Sequence, residues 1–212
     1  MSIRLSLILA TIAALLASAG DLMLLYVGNS ACAAFASLPP PPAGTLLLGN
    51  YLGVLFIPLY ALGYRAVSLL IAPAGERAAR VVFTLGAGCA ALGAVVHGIT
   101  AVSIAADRAA GRLGGDPFEA VMRYGAFLGP LWILLALAAF AITVLYARAV
   151  MSGRSGLPRR AWVANPVALT LLPVLLVAPF PVLREFIVPA APNLAHVLFF
   201  GTALLSRSVR SL

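Results

Sequence analysis

A chain of 212 residues that is 63% hydrophobic and only 9% charged cannot coat a soluble globule, whose composition ordinarily includes about 25% charged residues. The net charge of +8 comes from fourteen arginines and no lysine; they lie in short stretches between apolar runs, the positive-inside placement of membrane proteins rather than a basic face for nucleic acid. Two cysteines, Cys32 and Cys89, make no disulfide framework, and one transmembrane domain over residues 1–212 is expected: all-α, a six-helix transmembrane bundle.

The first apolar run begins after Arg4, and with Ala17, Ser18 and Ala19 it has the outline of a secretory signal. It resumes at once, however, through Leu22–Val27, so Leu5–Gly28 reads as a retained span of the ~20-residue length that crosses a ~30 Å hydrocarbon core. An uncharged loop follows, Asn29–Ala43, ending in Pro39–Pro42, which favour polyproline II and cannot be helical. Leu46–Leu70 is the second span, kinked by Pro58, with Tyr60 and Tyr64 toward its far end for packing or anchoring. After a loop carrying Glu76, Arg77 and Arg80, Val81–Ala105 forms the third span, rich in Gly and Ala, which let helices approach closely in lipid.

The longest polar stretch is Asp107–Arg123. Within it Asp116-Pro117-Phe118-Glu119 carries an N-cap, a first-turn proline and a following glutamate, predicting a short interfacial helix before span four, Gly125–Ala149. A loop with Arg154, Arg159 and Arg160 precedes span five, Ala161–Pro181, which Pro166, Pro173 and Pro179 should bend. Arg184 and Glu185 are expected in a tight connection, and Pro189–Leu205 is span six. With the N-terminus inside, ten arginines fall on the cytoplasmic side, and only Arg108, Arg112, Arg123 and Arg184 outside. Both ends are therefore expected in the cytoplasm, the protein lying in a bacterial-type inner membrane.

Ionisable side chains at membrane depth cost about 2.5–3.5 kcal/mol on insertion scales and commonly mark function. Asp21, His97 and His196 are such residues. Counting ~1.5 Å per residue along each span puts Asp21, His97, His196 and Asn193 in one outer layer. Asn193 and His196 share a helix face at i and i+3. Asn50 and Tyr51 enter the same layer from the start of span two, Asn50 inside the close-packing string Gly49-x-x-x-Gly53.

One carboxylate, two imidazoles and nearby amides suit general acid–base chemistry, with Asp21, His97 and His196 catalytic and Asn193, Asn50 and Tyr51 binding substrate. The same three catalytic side chains would also suit a divalent metal such as zinc with an open position. No phosphate loop, serine elbow or cysteine-nucleophile context is present.

The string Ser18-Ala19-Gly20-Asp21-Leu22-Met23-Leu24-Leu25 resembles a segment of lysoplasmalogenase-type membrane proteins. The resemblance covers eight residues and implies hydrolysis of a lipid vinyl-ether bond, with Asp21 as the carried-over acidic residue. More loosely, Asp and His within spans resemble intramembrane lipid hydrolases of the alkaline ceramidase kind. The leading expectation is an intramembrane enzyme whose partners are membrane lipids or a lipophilic small molecule. A small-molecule or proton-coupled transporter, a haem protein with His97 and His196 as axial ligands, and a purely structural or assembly subunit are the rivals.

Overall fold

The computed structural model describes residues 1–25, 42–109, 122–206 and 209, and every regular element among them is helical. In order these are α1 (Ile3–Leu25), α2 (Ala43–Phe56), α3 (Tyr60–Ile71), α4 (Glu76–Ala109), α5 (Gly125–Met151), α6 (Pro166–Val177) and α7 (Pro181–Leu204). Single turns of 3-10 helix lie at Ile57–Leu59 and Ala72–Ala74, and a longer one at Arg159–Val163. The polar Asp116–Glu119 string, most of the Pro39–Pro42 run and Cys32 lie outside the described residues.

Five segments are long and apolar enough to cross a membrane: Ile3–Leu25, Ala43–Ala74, Glu76–Asp107, Gly125–Met151 and Ile187–Leu204. The expected kink at Pro58 is a short 3-10 turn that splits span two into α2 and α3. Proline cannot donate to the preceding turn of an α-helix, so the ladder breaks there.

The expected fifth span differs from the structure, and the helix that carries the sixth begins earlier than Pro189. The fifth is only the 12-residue α6, started by Asn165, whose side chain caps Ala168 N at 2.9 Å, and by Pro166 in the first turn. The chain then turns at Ala178–Phe180, and α7 begins at Pro181. Arg184 and Glu185 are therefore helical rather than a connection, and Pro189 and Pro192 lie inside the helix. Each proline removes one backbone donor, but α7 is packed along α1 and α6 and continues through both. Tertiary packing overrides the local signal.

α1 shows how one helix faces both protein and lipid. Leu7, Ala10, Ala14, Ala17, Asp21 and Leu24 are buried, while Leu5, Leu9, Ile12 and Leu15 are exposed, the three-and-four spacing of opposite helix faces. Its hydroxyls bond to carbonyls four residues back, Thr11 to Leu7 at 2.7 Å and Ser18 to Ala14 at 2.8 Å, which satisfies them without water. α1 packs against α2, α3 and α7, and α4 against α2, α3 and α5. At one end Arg154 reaches Ala74 O at 3.4 Å and Gly156 N bonds Leu70 O at 2.8 Å. That end thus gathers Arg154 together with Arg77 and Arg80 of the first α4 turns.

Candidate functional site

The polar residues of four helices meet in the interior. Asp21 of α1, His97 of α4 and Asn193 of α7 are 9%, 6% and 7% exposed. His97 Nδ1 lies 3.0 Å from Asp21 Oδ1, and Asn193 Nδ2 donates to Asp21 Oδ2 at 2.6 Å. The other amide atom, Asn193 Oδ1, accepts from the Tyr60 hydroxyl of α3 at 2.6 Å. α2 contributes backbone: the carbonyl of Gly49 is 3.0 Å from His97 Nε2.

These partners fix the proton inventory. A carbonyl oxygen only accepts, so His97 Nε2 carries a hydrogen directed at Gly49. The contact with Asp21 then requires one more proton, on Nδ1 or on Oδ1. The pair holds two protons and no net charge, as carboxylate with imidazolium or as carboxylic acid with imidazole. Pairing offsets part of the cost of burying a carboxylate, which a lone charge would bear in full.

His196 stands apart from Asp21 but is joined to the same cluster. Its Nδ1 donates to the Pro192 carbonyl at 2.7 Å, and Nε2 accepts from the Tyr64 hydroxyl at 2.8 Å. The ring stacks on Tyr60 with centroids 4.7 Å apart and planes at 29°. Tyr60 therefore touches both halves, bonding Asn193 and covering His196.

Small residues make this approach possible. α1 and α2 cross backbone to backbone, and a Cβ on Gly20 would lie 2.7 Å from Gly49 O. One turn on, Gly53 lies against the His97 ring, where a Cβ would overlap the imidazole. The Gly49-x-x-x-Gly53 string is thus a packing device with a second use, since Gly49 also supplies the acceptor that orients His97. Between them Asn50 Oδ1 is buried without a hydrogen-bond partner among the described residues, next to Gly98 of α4. Tyr51 is half exposed and lies outside the cluster, because the next position on a helix points about 100° away from Asn50.

Of the expected site residues, the structure brings Asp21, His97 and Asn193 into direct contact, attaches His196 through Tyr60, leaves Asn50 nearby and turns Tyr51 away. Tyr60 and Tyr64, expected to serve packing or anchoring, are hydrogen-bonding members. Their spacing of four residues puts both on one face of α3, a signal present in the sequence, but reading depth from backbone rise alone ignores that a tyrosine hydroxyl stands a full ring beyond its Cα.

For the metal expectation the donor chemistry is unfavourable. No group of three His, Cys, Asp or Glu side chains converges among the described residues, and both nitrogens of His97 and of His196 face protein groups. The same occupancy leaves neither ring a nitrogen for haem iron.

On one flank of α4, next to Gly98, runs a cleft of about 640 Å³ lined by Val54, by α4 residues from Ala94 to Ala106, and by Tyr124 and Phe127. Such a volume lies within the ~300–1,000 Å³ range of small-molecule sites.

Apolar helices of spanning length around a buried, charge-balanced acid–base pair define an integral-membrane class of protein. Within that class the chain belongs to DUF6796, a family of unknown function, whose model matches residues 1–208. No curated protein and no solved structure matches the chain.

Proposed function

We propose that the protein is an intramembrane enzyme that acts on a lipophilic substrate by acid–base chemistry, hydrolysis being the favoured reaction class. In this reading it has six crossings with both ends in the cytoplasm, consistent with the gathering of Arg77, Arg80 and Arg154 at one end. The observation that carries the proposal is the Asp21–His97 pair, which shares a proton inside a bundle while Asn193 and Gly49 hold both partners in register. A positioned acid–base group contributes typically 10²–10⁴-fold to a rate.

Asp21 is assigned as the general base and His97 as its acid partner. Asn193 and Tyr60 orient the carboxylate, and His196 positions Tyr60. Asn50 Oδ1, a buried acceptor without a partner among the described residues, is the group left to receive a substrate hydroxyl or amide. The eight-residue resemblance around Asp21 favours the same broad class, a membrane-lipid hydrolase.

A proton-coupled transporter is the weaker reading. Tyr64, Tyr146, Phe199 and Phe200, each almost wholly buried, pack ring against ring at centroid distances of 5.2–5.9 Å. They form an aromatic plug beside His196, whereas a transport path should be wet on both sides of its binding site.

The test is turnover in vesicles made from a total polar-lipid extract, followed by mass spectrometry of lipid pools. Wild type should deplete one lipid class, and Asp21→Asn and His97→Gln should each slow that depletion by about 10²-fold or more. Equal depletion by wild type and Asp21→Asn removes the reading.

A further inference from the structure

The lateral cleft has features that the acid–base pair does not explain. Its α4 wall repeats Ala94, Gly98, Val102 and Ala106 at intervals of four, a continuous strip on one helix face. From Ala94 to Ala106 the rise is ~18 Å, close to the ~15 Å of hydrocarbon in a single leaflet. The strip is open at the perimeter, since Val95, Val102 and Phe127 are exposed.

At the end lined by Ala106 and Tyr124 the cleft adjoins a charged pair. There Arg123 Nε is 3.2 Å from Asp107 Oδ2, and the adjacent Tyr124, which lines the cleft, donates to Asp107 Oδ1 at 3.5 Å. Asp107 is fully buried, whereas the Arg123 side chain is 45% exposed. With Nε turned to Asp107, the guanidinium has no other partner among the described residues, and its terminal N–H groups have the fork geometry that suits phosphate oxygens. A cation at that end of an apolar strip one leaflet long has the layout of an anionic amphiphile.

We infer that the α2–α4–α5 cleft is a binding site for an anionic phospholipid, one acyl chain lying along Ala94–Ala106 and the phosphate on Arg123. The chain would then run past Gly98, the residue next to His97 and about 100° around α4 from it. Binding stands on the cleft alone; that the bound lipid is also the substrate rests on the function proposed above.

Native mass spectrometry of protein released from nanodiscs of equimolar phosphatidylglycerol and phosphatidylcholine tests it. Wild type should retain one lipid with about tenfold preference for phosphatidylglycerol, the size of ~1.4 kcal/mol. Arg123→Gln should retain lipid with that preference reduced to near parity. Gly98→Phe and Val102→Trp, which fill the cleft, should cut retention at least tenfold; Val102 is exposed, so its replacement leaves internal packing intact. Asp21→Asn should bind as wild type does, so retained binding without turnover separates the two readings. Undiminished retention in both Gly98→Phe and Val102→Trp, or an unchanged lipid preference in Arg123→Gln, overturns the inference.

Discussion

Four atoms decide the chemistry of the site: Asp21 Oδ1, Asp21 Oδ2 and the two ring nitrogens of His97. Each has one protein partner within 3.0 Å, so replacements divide by whether they preserve those contacts. Asp21→Leu leaves His97 Nδ1 and Asn193 Nδ2 buried without their acceptor, and removing one member of a buried pair costs about 3–5 kcal/mol. Asp21→Asn keeps the shape and an acceptor for Asn193, and should cost about 1 kcal/mol. Thermal unfolding in detergent should thus rank wild type and Asp21→Asn together, well above Asp21→Leu. Gly53→Ala should lower stability by about 1–3 kcal/mol, the range of an overpacked interior, because the imidazole must shift. The histidine signals in a ¹⁵N spectrum should then move, whereas Gly88→Ala, at a glycine with open space around it, should leave both stability and spectrum unchanged.

At the scale of helices, the Pro58 turn sets where Tyr60 stands. The 3-10 segment Ile57–Leu59 precedes Tyr60 directly, and its tighter winding rotates α3 relative to a continuous α-helix. Pro58→Ala restores the missing backbone donor and should straighten the break, swinging Tyr60 away from Asn193. Turnover should fall while the protein stays folded, with Tyr60→Phe giving a loss of similar size in the same vesicle assay.

The sequence made the spans legible wherever apolar length and flanking charge agreed, as in α1, α4 and α5. It also placed Asp21, His97 and Asn193 at one depth, since long helices convert residue count into depth at a fixed rise. It was less informative near α6 and α7, where six prolines blur the boundary: Pro166 and Pro181 begin helices, Pro179 lies in a turn, and Pro173, Pro189 and Pro192 sit within helices. Which role each takes depends on neighbouring helices. The roles of Tyr60, Tyr64 and the Gly49 carbonyl were hidden for the same reason, as they arise from contacts between elements far apart in the chain.

For the whole molecule, the contact between Arg154 and Ala74 puts the α3–α4 and α5–α6 connections at one end of the bundle, the cytoplasmic end in the proposed topology. In intact cells, a Cys32→Ser, Cys89→Ser background carrying Arg154→Cys should resist a membrane-impermeant maleimide and react only after permeabilisation. Labelling from outside would reverse the orientation. The reversal would leave the hydrogen-bonded cluster untouched.

The polar cluster draws on α1, α2, α3, α4 and α7, while one wall of the cleft belongs to α5. The cleft thus has one wall, α5, that supplies no residue of the cluster, while α2 borders both. A sideways displacement of α5 would widen the lipid-facing channel without lengthening any bond to Asp21 or His97. Under the proposed function, bilayer tension or the shape of the incoming chain sets the rate of admission in this way, leaving the acid–base pair at constant geometry.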